Sequence, residues 1–160
     1  MGNSHVRLVA QRVRGAAVSW EEGERRERRT IGRGLAVLLG AGPESDQAQA
    51  ARLATKLAAL RIFPDADGRF NLSLTDIQGE ALVVSQFTLY ADTSRGRRPG
   101  FTTAADPTQA APLVTHFADT LRAQGVPTQT GSFGAHMLVE IENDGPVTVV
   151  LSTDDWPTRV

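Results

Sequence analysis

An α+β fold is what this sequence predicts: one domain over residues 1–160, with mixed, mostly antiparallel β-sheets packed with two main helices. Three observations lead there. Continuous apolar runs bounded by glycine, such as Leu35–Leu39 between Gly34 and Gly40, read as buried strands. Two other segments place apolar residues at helical spacing. No internal repeat, low-complexity linker or composition break divides the 160 residues, and 41% hydrophobic content suffices for one sizeable core.

The elements follow in order. The polar residues 1–4 read as a flexible tail, and Val6–Val13 as a first strand. Ala16–Trp20 and Arg29–Ile31 flank the charged stretch Glu21–Arg28, which predicts a hairpin with a solvated tip. A first helix, capped by Ser45 or Asp46, carries the stripe Leu53, Ala54, Leu57, Ala58 and Leu60. Asp65-Ala66-Asp67-Gly68 reads as a plain turn, because the later acidic residues of a calcium loop are missing. Ala81–Tyr90, apolar on both faces, predicts a strand lying centrally in a sheet. A second helix opens at Asp106-Pro107 and closes at Gly125. Its stripe is Ala110, Leu113, Val114, Phe117 and Leu121, and Pro112 predicts a distorted first turn or a later start. Met137–Ile141 and Val147–Leu151 then form two strands joined across Gly145-Pro146.

Composition narrows the chemistry. There are no cysteines, which excludes disulfides, thiolate nucleophiles and Cys-based zinc sites and fits a reducing cytosol; a cytoplasmic location is the expectation. No apolar run reaches membrane-spanning length, and the start is unlike a secretory leader. A net charge of −1 argues against indiscriminate polyanion binding, so any nucleic-acid contact needs a local patch. Arg25, Arg26, Arg28 and Arg29 alternate with glutamates that largely cancel them, whereas Arg95, Arg97 and Arg98 stand as the better phosphate candidates.

His5, His116 and His136 share no metal-ligand spacing, so no metal site and no cofactor are predicted. The Gly-x-Ser-x-Gly elbow and the phosphate-cradling glycine loops are absent. Two short pieces remain. Ser85-Gln86-Phe87-Thr88-Leu89 puts a polar pair into an apolar run, costly to bury without hydrogen bonds. Asn143-Asp144-Gly145-Pro146-Val147-Thr148 puts a flexible glycine and an N–H-free proline between two strands. Together they point to a site built more from main chain than from reactive side chains. Thr88 reads either as a positioning group or as a nucleophile, and the motif supplies no base for the second role.

These two motifs resemble those of the D-aminoacyl-tRNA deacylases, and the resemblance covers nearly the whole chain. Val9–Val13, Gly32–Gly40, Arg61-Ile62-Phe63, Gly68–Leu72, Gly96–Phe101 and Thr130–Met137 add to it. The departures are a longer polar N-terminus, the Arg/Glu-rich stretch at 21–29, Phe70 where the family often has Met, and Gly100 where Ser is common.

The resemblance implies a homodimer that hydrolyses the ester joining a D-amino acid to the 3′-terminal adenosine of tRNA, with no cofactor and no membrane partner. It makes the strand Ser85–Leu89 one wall of the pocket, with Ser85, Gln86, Phe87 and Thr88 as the catalytic residues. It places Gly145-Pro146 of the opposite subunit at the mouth, joined by a cis bond, where their carbonyls leave room only for hydrogen at Cα. An L residue would drive its side chain into that wall, and glycine, with hydrogen in both directions, would enter. Main-chain N–H groups near Phe87 and Thr88 would hold the oxyanion, and the substrate's 2′-hydroxyl would orient or activate water.

Several other roles stay open beside the resemblance. Gln86 binds substrate or satisfies neighbouring backbone. Phe133 and Met137 flank the adenine, as aromatic faces do with unpaired bases, or Met137 packs in the core. Ala110 lines the adenosine pocket or is plain core, and Arg12 braces the Gly-Pro loop by donating to its carbonyls. The rival functions are a non-catalytic module that binds aminoacyl-adenosine ends, and an esterase for small D-amino acid derivatives that needs no RNA.

Overall fold

A computed structural model describes residues 5–154, so the proposed tail at residues 1–4 lies outside the described residues. Strand β1 (Val6–Glu22) is the spine of a six-stranded sheet. Along one edge it pairs antiparallel with β3 (Gly34–Ala41) through its first half and with β2 (Arg25–Ile31) through its second. Along the other edge it pairs with β8 (Met137–Ser152). Beyond β3 the sheet continues in parallel through β6 (Glu80–Ser85) to β7 (Thr128–Thr130). A separate ribbon joins β4 (Phe63–Pro64) to β5 (Phe70–Leu72) through the Asp65–Gly68 turn. In that turn Asp65 Oδ1 accepts from the N–H groups of Asp67 and Arg69, at 2.9 and 3.1 Å.

Helix α1 (Gln47–Ala59) starts at Asp46, whose carboxylate accepts from Gln49 N at 2.8 Å while the Gln49 side chain reaches back to Asp46 N. Helix α2 (Pro107–Ala123) is capped by Asp106 and packs on α1. Both helices cover one face of the sheet. Leu35, Val37, Ala81 and Val83 meet Leu53, Leu57, Phe117 and Leu121 there. Ala36, Leu82 and Val84 face the other way, onto Val13, Val18 and Trp20. Burial on both faces explains why β3 and β6 read as unbroken apolar runs.

Five expectations need correction. The first strand does not stop at Val13: it runs on to Glu22 and absorbs the hairpin arm, with register shifts around Val13 and Gly15 where the pairing partner changes from β3 to β2. The hairpin tip is confined to Gly23-Glu24, and most of the charged stretch belongs to the ladder itself. Its charges are paired, as in Arg29–Glu27 at 3.0 Å and the contact of Arg28 with Glu140.

The expected strand Ala81–Tyr90 ends at Ser85, and Phe87–Tyr90 form a single 3-10 turn. Gln86 N still donates to Leu39 O at 2.7 Å, after which the chain curls over Gly40. A Cβ there would lie 2.7 Å from the Gln86 carbonyl oxygen, so the missing side chain is what admits the turn. The apolar residues that follow pack as a turn, which their composition does not distinguish from a strand.

Helix α2 starts at Pro107 despite Pro112, whose exposed position leaves the carbonyl that lost its partner open to water. Finally, the two C-terminal strands are one strand, β8. Its pairing with β1 passes from Gln11↔Thr148 to Val13↔Asn143, so residues 144–147 stand opposite Arg12 alone and loop outward.

Candidate active site

The curl at the end of β6 opens one wall of a cavity of about 750 Å³. Ser85, Gln86 and Phe87 form that wall, and the end of β3, including Gly40, forms the floor. Ala110 and Val114 of α2 stand on one side, with Phe133 and Met137 opposite. Residues far apart in sequence thus meet because β3 and β6 are neighbours, with β7 delivering the 133–137 segment back across the sheet. Ser85 and Gln86 are half-buried at the cavity surface, not enclosed within the sheet.

Thr88 lies just outside the lining, and its hydroxyl accepts from the Gln86 amide. An amide takes no proton, so this partner does not activate Thr88 as a nucleophile. Within the turn, Leu89 N donates to Gln86 O at 3.3 Å and Ala91 N to Thr88 O at 3.1 Å. The first N–H groups of a helical turn have no carbonyl within it to meet, and here those belong to Phe87 and Thr88.

Phe87 is 57% exposed and meets Phe101 edge-on, with ring centroids 4.9 Å apart. Phe101 itself lines the cavity, as do His136 and Asp106, and none of the three was singled out from the sequence as a site residue. Phe101 had one usable signal, its place directly after the basic cluster. At Asp106 the Thr108 hydroxyl, followed by the Gln109 N–H, holds the carboxyl below its ordinary value, so an anion sits at this edge.

Other predicted residues lie elsewhere. Arg95, Arg97 and Arg98 are exposed on a loop closed by the pairing of Asp92 with Gly100, immediately before Phe101. Gly145 and Pro146 do not line the cavity of their own chain; they are exposed on the outward loop of β8, with a cis bond between them. Arg12 is buried behind this loop and ties it down. Its Nε donates to Asp144 O at 2.9 Å and its Nη1 to Ile62 O at 2.8 Å. Asn143 Oδ1 accepts from Val147 N at 2.9 Å and closes the loop from within. The chain therefore presents a cavity in one place and a braced Gly-Pro corner in another.

The family model described as D-Tyr-tRNA(Tyr) deacylase matches residues 9–152. This chain belongs to the D-Tyr-tRNA(Tyr) deacylase family. Its similarity to named relatives of the family extends over almost the full length. It is 56% identical over 148 residues to the D-aminoacyl-tRNA deacylase of Roseiflexus sp. (strain RS-1), covering 92% of this chain and 94% of that one. The D-aminoacyl-tRNA deacylase of Staphylococcus saprophyticus is 45% identical over 150 residues, covering 94% and 97%. Among solved structures, the c-Myc DNA unwinding element binding protein superposes with a TM-score of 0.82 at 37% identity, over 95% of this chain and 99% of that chain. A probable eukaryotic D-amino acid tRNA deacylase shares the fold, with a TM-score of 0.76 at 18% identity over 92% of this chain and 99% of that one. The segments Ser85–Leu89 and Asn143–Thr148 both fall within the matched residues.

Proposed function

We propose that this chain is a hydrolase that cleaves the ester of D-aminoacyl-tRNA, and of glycyl-tRNA, to free amino acid and tRNA in the cytoplasm. The observation that carries the reading is the single cavity uniting Ser85, Gln86 and Phe87 with Ala110, Phe133 and Met137 in a member of this family. A flat aromatic and a flexible thioether suit an unpaired adenine, and the opposite wall offers main-chain donors to a reacting carbonyl.

In this mechanism a water oxygen attacks the ester carbonyl, and the Phe87 and Thr88 N–H groups receive the oxyanion, each donor contributing about 3 kcal/mol. The tetrahedral intermediate then collapses, and the 3′-oxygen of the terminal adenosine departs with the proton that the attacking water gives up. The neighbouring 2′-hydroxyl orients the water, in place of a side-chain base.

Handedness is read by Gly145 and Pro146 of a second copy. Support comes from their absence from their own chain's cavity and from the bracing by Arg12 and Asn143, which gives the corner a fixed shape. A homodimer also accounts for the apolar side chains of Leu138 and Val150, about half exposed on β8. The exposed arginines at 95, 97 and 98 precede Phe101 of the cavity lining in the chain, and on this reading tRNA phosphates pass over them.

The deciding experiment is hydrolysis of D- and L-tyrosyl-tRNA by the purified protein. Rapid release from the D ester and none from the L ester is the expected outcome; equal rates would overturn the reading. A terminal 2′-deoxyadenosine should abolish cleavage while binding persists, and an undiminished rate there would reject substrate assistance.

A further inference from the structure

Against the Phe87–Tyr90 turn, outside the cavity lining, lies a nearly buried charged group that the mechanism above does not use. Arg7, near the start of β1, is 14% exposed at its side chain. Its Nη1 donates to Leu89 O at 3.0 Å, and its Nη2 and Nε donate to the Asp154 carboxylate at 2.9 and 3.3 Å. The guanidinium lies 4.2 Å from the centre of the Tyr90 ring, and Tyr90 Oη donates to His5 O at 2.5 Å. Ser152 Oγ donates to Asp154, and Val6 N donates to Thr153 Oγ1 at 3.0 Å. The end of β8 therefore orients Arg7, and Arg7 with Tyr90 holds the far end of the turn.

We propose that Arg7 is a positioning residue for the hydrolysis, fixed by Asp154 and acting through the Leu89 carbonyl on the aim of the Phe87 and Thr88 N–H groups. This rests on the reading of the turn as the oxyanion site. Arg7 does not line the cavity and so touches no substrate. Its leverage comes from the shortness of the turn, which rises only about 2 Å per residue and leaves no slack between the gripped carbonyl and the donors beside it. Leu89 is tied back to Gln86 and Ala91 to Thr88, so a shift of the Leu89 peptide carries into the preceding amides. Misplacement by about 1 Å is enough to cost up to 100-fold in rate.

Two variants separate this role from general stability. Arg7→Met keeps an apolar stem over Tyr90 and removes every donor; Asp154→Asn keeps the shape and removes the carboxylate charge. With D-tyrosyl-tRNA, Arg7→Met should lower kcat about tenfold or more while KM stays within about twofold, the signature of an interaction that matters only in the transition state. Asp154→Asn should lower kcat less, in the same direction. Amide hydrogen exchange should speed up in residues 86–91 and stay unchanged in α1 and α2. A third variant, Gly40→Ala, pushes directly on the Gln86 carbonyl and tests the turn itself.

If Gly40→Ala lowers kcat and a folded Arg7→Met does not, the positioning role is overturned and the site reading survives. Should Gly40→Ala leave kcat unchanged, the site reading falls and this inference with it. A loss of kcat in Arg7→Met accompanied by faster exchange throughout α1 and α2 also overturns the role. Where Arg7→Met does not fold, Asp154→Asn decides by the same criteria.

Discussion

At Gly145 a methyl group has no room. The backbone sits at φ +141°, and a Cβ would lie 2.7 Å from Val147 Cγ2, 3.0 Å from Val147 N and 3.2 Å from Arg12 Nη2. Gly145→Ala should therefore displace the corner and narrow the ratio of D- to L-tyrosyl-tRNA hydrolysis about tenfold or more, as measured by paired kcat/KM values. Asp154 supplies a pH test at the same scale. Burial raises its carboxyl, yet hydrogen bonds from Arg7 and Ser152 and the nearby positive charge prevail and hold it below its ordinary value of 3.8. A depressed carboxylate stabilises the fold above its unfolded pKa, and that share is lost as pH falls through the native one. Asp154→Asn should thus flatten the fall in unfolding free energy below about pH 4, followed by denaturant titration across that range. Residues such as Ser85, Gln86 and Phe133 were legible because polar or aromatic types stood out from their surroundings. Asp106 read only as a helix cap, and His136 only as a histidine without metal-ligand spacing. Neither residue type nor spacing shows that both face the cavity.

Helix α1 is the element whose start the sequence specified most completely, because Asp46 and Gln49 cap each other within four residues. Asp46→Ala should cost about 1 kcal/mol of stability in chemical denaturation and leave hydrolysis unchanged, since α1 contributes nothing to the cavity lining. Local signals of this kind made both helices and the centrality of β6 readable. The end of β6 was not, because the run Phe87–Tyr90 stays apolar while the chain leaves the sheet. What decides the turn is Gly40 on the neighbouring strand, some 46 positions earlier in the chain than Gln86. The continuity of β8 was hidden for a similar reason. Its two halves are aligned by β1, and only that pairing shows residues 144–147 as an outward loop in one strand.

For the whole molecule, the exposed face of β8 carries the prediction. Leu138 is 55% exposed and Val150 47%, a poor arrangement for an isolated chain and a good one for a strand covered by a second copy. In the proposed dimer, Leu138→Glu should shift sedimentation from dimer toward monomer and narrow the ratio of D- to L-tyrosyl-tRNA hydrolysis in parallel, because each cavity would lose the corner lent to it. The fold class was legible from pattern alone; the proposed division of the site between copies rests on family resemblance and not on spacing or composition. That division has a genetic consequence. In the proposed dimer β8 would carry Met137 in its own basin and Gly145 in its neighbour's gate, so one chain would be at once host and doorkeeper. Lesions in these two regions, carried on different chains of a mixed pair, leave one sound centre. The same two lesions on one chain, paired with an intact mate, spoil both.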